Sequence, residues 1–404
     1  MKKIFISVFL FFLLSQGIHS QVVNSVLSEG NWFKFSVDTT GVFKIDKSFL
    51  QDIGIATNNL NPKKIHIYGN GGELLPENNS AFRYDDLQEN AIFVEGEEDN
   101  SFDTNDYILF YAKGPHTWSV DTTSQEVTHK QNIYSDKAYY FITVNDEDGK
   151  RIQSAVPISG NPVTEITTFN DYTFYENETS NLFAAGRRWL GEEFSLENQQ
   201  TFQIPFSNAV QNEPLKITVR AVGVSGLTSS MKVNVNSQEL FSLNFSAITG
   251  DNLASDRVGS ENFSNTSSTV SVLLDYDNGG NPSARAYLDF IEISGKKQLI
   301  SDGFQFSFRN FSTANTSGIV EYQLQNSQNI YQIWEVSDHI NVTSIANESP
   351  SGNFSFKAMG GDLKEYVVVS ENDYYTPESV ANASIENQNL HALKDINYLL
   401  ITTS

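Results

Sequence analysis

The 404-residue sequence contains no cysteine. Within this chain, that absence rules out disulfides, thiolate metal sites, a cysteine nucleophile and a lipid anchor on an N-terminal cysteine. The sequence also lacks any apolar run of membrane-spanning length. Its longest, residues 4–14 (IFISVFLFFLL), follows a basic start and precedes the small and polar residues 15–20. That pattern is a secretory signal peptide, and the run is too short to cross roughly 30 Å of hydrocarbon as a helix. No transmembrane span is therefore expected.

Positive charge is scarce as well. Once Lys2 and Lys3 leave with the signal peptide, 24 basic residues face 49 acidic ones. Such a surface argues against nucleic acid and against anionic lipid headgroups as partners. A catalytic constellation is missing too. The mature histidines are His66, His116, His129, His339 and His391, and no two have metal-ligand spacing. No phosphate-cradling loop occurs, and carboxylates are too abundant to single out one acid/base pair. No motif requires a cofactor.

What remains is strand. Residues 32–37 (WFKFSV), 42–45, 64–68 (KIHIY), 91–94, 107–111 and 138–144 (AYYFITV) alternate or run apolar as strands do. A short helix is expected at 48–53, stopped by Gly54. Residues 113–118 (KGPHTW) open on a turn. His116 and Trp118 there form either a local contact cluster or a peptide- or sugar-binding edge. From 201 to 357 the pattern is almost wholly that of strands, as in an antiparallel sandwich. Residues 171–194 mix aromatics with acids around Arg187 and Arg188, which are expected to be ion-paired. Residues 364–370 (KEYVVVS) and 397–402 (NYLLIT) are continuous apolar runs, read as strands of a sheet covered on both faces.

The fold class is thus mainly β: an N-terminal β-rich domain, then an antiparallel β-sandwich region, then the opening strands of an α/β unit. The expected divisions are a signal peptide at 1–20, the β-rich domain at 21–162, a connector at 163–200, the sandwich at 201–360 and the incomplete α/β unit at 361–404. Because residues 395–404 (DINYLLITTS) read as the first buried strand of that unit, more chain is expected after Ser404.

Eleven carboxylates crowd residues 73–106 against the single Arg83. A hard cation relieves such crowding by sharing oxygens, which makes Glu97, Asp99 and Asp103 calcium candidates, and Asp275 and Asp277 (DYDNGGN) likewise. The competing readings are a solvated acidic loop for the first set and hairpin-turn chemistry for the second.

Several segments in order carry a family resemblance. They are residues 30–34 (GNWFK), 40–44 (TGVFK), 67–72 (IYGNGG), 85–87 (DDL) and 89–96 (ENAIFVEG). Residues 106–111 (DYILFY), 114–118 (GPHTW), 135–143 (SDKAYYFIT), 186–194 (GRRWLGEEF) and 387–391 (NQNLH) continue the series. Together they resemble the amino-terminal region of the type IX secretion sortases of Bacteroidetes, the PorU-like branch of the gingipain-like cysteine peptidases. The resemblance implies a caspase-like catalytic domain with a histidine–cysteine dyad, beginning near Gly361. It implies removal of the C-terminal sorting domain from secreted cargo and attachment of cargo to surface lipopolysaccharide. Secreted cargo and translocon or outer-membrane components are the implied partners, and the outer membrane or cell surface of a Gram-negative bacterium is the implied location. The dyad falls on no residue of this chain, and His391 lies too early to be its histidine. The alternative reading is a secreted β-sandwich adhesion or glycan-binding module without enzymatic activity.

Overall fold

The computed structural model describes residues 23–121, 126–182, 184, 186–348, 350–371, 373–394 and 396–398. The expected signal peptide and most of the terminal segment 395–404 lie outside them.

Alternation builds the first sheet. Trp32–Val37 pairs antiparallel with Ala138–Val144 on one side and Glu378–Ile385 on the other, and Ile65–Tyr68 and Glu89–Asn90 complete the five strands. Against it lies a three-stranded sheet of Gly41–Asp46, Tyr107–Ala112 and Ile92–Glu95. Between these strands runs the helix Lys47–Asp52, capped by the Asp46 carboxylate, which accepts from the Phe49 N–H at 2.9 Å.

The three-stranded sheet is buried on both faces, and the period of two shows why its strands read as continuous apolar runs. Phe43, Ile108 and Phe110 enter the core with Phe35 and Tyr140 of the first sheet. Their neighbours Val42, Leu109 and Tyr111 turn the other way, onto Trp334, Val336, Val367 and Val369.

Trp334, Val367 and Val369 belong to a ten-stranded sheet that runs through the rest of the molecule. At one end it packs on the strands Thr164–Ile166, Ile319–Gln325 and Asn353–Met359 through Phe308, Tyr322, Phe356 and Val368. At the other end Leu215–Val224 and Arg285–Gln298 face a four-stranded sheet, with Ile217, Val219, Val233, Val272 and Leu288 in the core between them. Antiparallel pairing dominates, and sandwich packing is present as the sequence pattern implied.

Two strand assignments change. Glu365–Ser370 was expected to open a new α/β unit. It lies instead inside the ten-stranded sheet, antiparallel to Ser307–Arg309 and Ile330–Glu335. Tyr366 and Val368 serve one core and Val367 and Val369 another, so the strand is covered on both faces without any helix. The stretch read as a connector contains Thr168–Glu176, a nine-residue strand paired along its whole length with Arg285–Gln298. Of the strand expected at 397–402, only residues 397 and 398 are described, and both are exposed.

Candidate functional site: a cavity beneath a hairpin

The turn at residues 113–116 delivers the chain into a hairpin, Thr117–Asp121 with Glu126–Lys130, whose strands pair only with each other among the described residues. Gly114 is required at its entry, since a Cβ there would stand 2.5 Å from the Thr39 carbonyl carbon. Trp118 and His129 are directly opposite in the ladder and so project from one face. That face is laid on the ten-stranded sheet at two points.

At the first point the Arg309 guanidinium carbon sits 3.7 Å from the centre of the Trp118 ring, with Tyr172 and Phe311 alongside. Arg309 is 4% exposed and donates to Glu365 at 2.9 Å. At the second point His129 Nδ1 bonds Glu292 at 2.8 Å and Nε2 bonds Glu176 at 2.9 Å, with the ring edge-on to Phe290. Burial would lower the His129 pKa, but hydrogen bonds to Glu176 and Glu292 outweigh it and raise it to about 9. Nearby, burial and the Glu176 and Asp289 carboxylates push Glu178 up to about 7.

Beside Trp118, hairpin, sheet and N-terminal unit line a half-open cavity of about 550 Å³. Tyr111, Trp118, Tyr172, Phe174 and Phe306 give it aromatic walls, while His116, Arg309 and Glu365 bring polar groups and Lys113 and Glu73 stand in its lining as charges of opposite sign. On two of its lining residues, Arg309 Nε and His116 Nδ1 are buried away from the open space and have no hydrogen-bond partner among the described residues. Burial lowers the His116 pKa, which favours its neutral imidazole. Flat apolar walls with a few polar groups beside them are features that small-molecule sites share.

His116 and Trp118 were visible in the sequence as a local cluster or binding edge, and the structure makes them part of this wall. Tyr172, Phe174, Arg309 and Glu365 were not found. Tyr172, Phe174 and Glu176 alternate on one face of a strand, a signal available once residues 168–176 are read as a strand. Arg309 has no local signal.

The calcium candidates have protein partners of their own. Glu97 is ion-paired with Arg151 at 2.8 Å, Asp99 accepts from the Ser101 N–H at 2.9 Å, and Asp103 accepts from Ser101 Oγ at 3.2 Å. Asp275 stands opposite Lys232 in the ladder, and Asp277 accepts from the Gly279 N–H at 3.0 Å, as a turn residue does. Among the described residues no three His, Asp or Glu side chains are grouped to hold a metal ion. His66 bonds Glu89 at 2.7 Å, and His391 lies 3.6 Å from Asp86. Arg187 and Arg188 are ion-paired as expected: Arg187 with Glu77, and Arg188 with Asp256 and Asp289 at 2.8 Å each. No helix among the described residues is long and apolar enough to cross a membrane.

Comparison with known proteins now bears on the fold. No family model and no curated protein matches the chain. Among solved structures, dimeric latent PorU from Porphyromonas gingivalis superposes with a TM-score of 0.79 over 93% of this chain, at 21% identity. The chain has a PorU-like fold. It spans 35% of the length of that protein, so the likeness concerns only part of PorU. A carbohydrate-binding module, CBM36 in complex with calcium and xylotriose, aligns with 32% of this chain and 99% of its own at 18% identity. Its TM-score is 0.21, too low to carry an argument.

Proposed function

We propose that this chain is the non-catalytic amino-terminal region of a type IX secretion sortase. The parent enzyme is a cysteine endopeptidase that cleaves the C-terminal sorting domain from secreted cargo and attaches the cargo to the cell surface. The observation that carries the reading is the PorU-like fold, shared across 93% of the chain with about a third of that protein. The ordered segments of the sequence resemblance support it independently. Since this chain has no cysteine, the reading puts the catalytic dyad outside it.

On this reading the chain is exported and held at the outer membrane or cell surface, where it meets cargo and translocon components. Its task is mechanical: to position the peptidase domain. The outgoing strand Glu378–Ile385 pairs with Trp32–Val37, and the segment after it is tied to the start of the mature chain. Asn389 accepts from the Ser25 N–H at 2.9 Å, and the Gln388 N–H donates to the Leu27 carbonyl at 2.9 Å. A domain following this segment starts from a fixed point on the first sheet.

The test is the reading frame downstream of codon 404. A frame that continues through βα units to a histidine and a cysteine is the expected result. A stop codon at that position removes the peptidase and with it the proposal.

A further inference from the structure

We propose that residues 24–27 act as a strap. They hold the chain that leaves the first sheet in a fixed direction, and their release frees that chain without unfolding a sheet. The two segments are anchored very unequally. Residues 386–394, which follow the strand Glu378–Ile385, form no helix or strand, and none of them is buried. Leu390 and Leu393 are 64% and 54% exposed, so their side chains reach no core. Such a segment keeps one conformation only where bonds offset the entropy lost in fixing it.

Among the described residues, every hydrogen bond from this segment to another element ends on residues 24–27. The Gln388 N–H donates to the Leu27 carbonyl at 2.9 Å, and the His391 N–H donates to Ser25 Oγ at 3.2 Å. Asn389 uses both ends of its amide. Its oxygen accepts from the Ser25 N–H at 2.9 Å, and its Nδ2 donates to Asn24 Oδ1 at 2.8 Å.

The strap has anchors of its own. Leu27 is buried, and the Val26 N–H donates to the Asp86 carboxylate at 2.7 Å, a charge-assisted bond. Asp86 is fixed in turn. Its other carboxylate oxygen accepts from the Leu87 N–H at 2.8 Å, and its carbonyl accepts from Asn70 at 3.2 Å and from Gln88 at 2.9 Å. The Gly69 N–H donates to the Gln88 carbonyl at 3.0 Å, directly after the strand Ile65–Tyr68 of the first sheet. The strap therefore keeps its place without the outgoing chain, whereas the outgoing chain depends on the strap. Only the His391 imidazole reaches past it among the described residues. Its nitrogens lie 3.6 Å from Asp86 and 3.9 Å from Asp85, beyond hydrogen-bond length.

This dependence lies in the chain's own contacts and holds whether or not a peptidase domain follows. The strap's part in placing such a domain rests on the sortase reading.

The experiment is hydrogen–deuterium exchange on the full chain, resolved at Val26, Gln388 and His391. Ile142, paired with strands on both sides in the first sheet, reports that the fold is intact. Val26→Pro removes the N–H that Asp86 accepts and leaves Asp86 and His391 untouched. Val26 opens a short 3₁₀ turn and follows an extended Ser25, so proline fits there. The variant is expected to speed exchange at Gln388 and His391 about tenfold. Asn389→Ala should speed the same two amides, with Val26 still protected relative to an unstructured chain. If Val26→Pro costs Ile142 its protection, Asp86→Ala takes its place. Exchange at Gln388 and His391 that the strap variant leaves at the parent rate overturns the proposal. So does complete loss of protection at Val26 in Asn389→Ala, or a parent protein in which Gln388 and His391 already exchange like an unstructured chain.

Discussion

The imidazole of His129 lies 4.3 Å from the ring of Phe174 and within 11° of parallel to it, while each of its nitrogens meets a carboxylate. This side chain helps to fasten the far strand of the hairpin to the sheet, together with the Lys216–Glu126 ion pair at 2.7 Å. His129→Ala leaves Glu176 and Glu292 without their shared cation and is expected to destabilise the protein by about 3 kcal/mol at pH 7. The pH dependence has a definite sign. The folded pKa of about 9 exceeds the ordinary 6.5, so the contribution is complete below pH 6.5 and is lost as pH rises through 9. Chemical denaturation of both proteins at pH 6, 7.5 and 10 checks this. The gap between them should shrink as pH rises, and a constant gap contradicts the assignment.

Glu178 should behave in the opposite sense to an ordinary surface glutamate. Its folded pKa of about 7 lies above the usual 4.5, so ionising it costs stability as pH rises from 4.5 through 7. Glu178→Gln mimics the protonated form without that cost. The variant is expected to match the parent at pH 5 and to exceed it by about 1 kcal/mol at pH 8, after allowing for solvent screening at this partly exposed site. Thermal melts at the two pH values read the difference directly.

The adjacent arginines should separate cleanly. Arg188 bridges Asp256 and Asp289, and Asp289 is buried with Arg220 as its other cation at 3.3 Å. The two arginines hold the Asp256 carboxyl well below the usual range, against the burial that raises it. Arg188→Ala is expected to cost about 1–2 kcal/mol. Arg187 pairs with Glu77 at the surface, and Arg187→Ala should leave the melting temperature unchanged. Equal effects of the two substitutions contradict the account.

The position of Glu365–Ser370 gives a truncation test. A chain ending at residue 360 loses a strand from the middle of the ten-stranded sheet and four side chains from two cores. It is expected to be readily digested by protease. A chain ending at residue 394 keeps that strand and Glu378–Ile385, and should melt with the full protein. If the shorter chain resists protease like the longer one, the sheet is wrongly described.

These elements also show where the sequence was legible. Trp32–Val37 and Ala138–Val144 were legible because every second residue, Phe33, Phe35 and Val37 in one and Ala138, Tyr140, Ile142 and Val144 in the other, faces the same core. Glu365–Ser370 was recognised as buried on both faces, but its apolar run says nothing about what covers them. A strand between two sandwich layers reads the same as one between helices. Thr168–Glu176 was missed because Tyr172, Phe174 and Glu176 face a hairpin and a cavity, which blurs the contrast that marks a strand. Ser255–Phe263 shows little alternation of its own because it is mostly exposed, at the edge of its sheet. In the cavity, His116 and Trp118 stood out as an aromatic pair beside a turn. Arg309 comes from nearly two hundred residues away, and only the folded sheet brings it beneath Trp118.

The central claim is that this chain positions a sorting peptidase, and the most direct measurement is the mass of that peptidase's products. In the native host, codons 163–360 are removed in frame and the surface proteins are analysed by intact-mass spectrometry. The account predicts that cargo accumulates with its C-terminal sorting domain still attached. Cargo processed to its normal mass in that strain would contradict it.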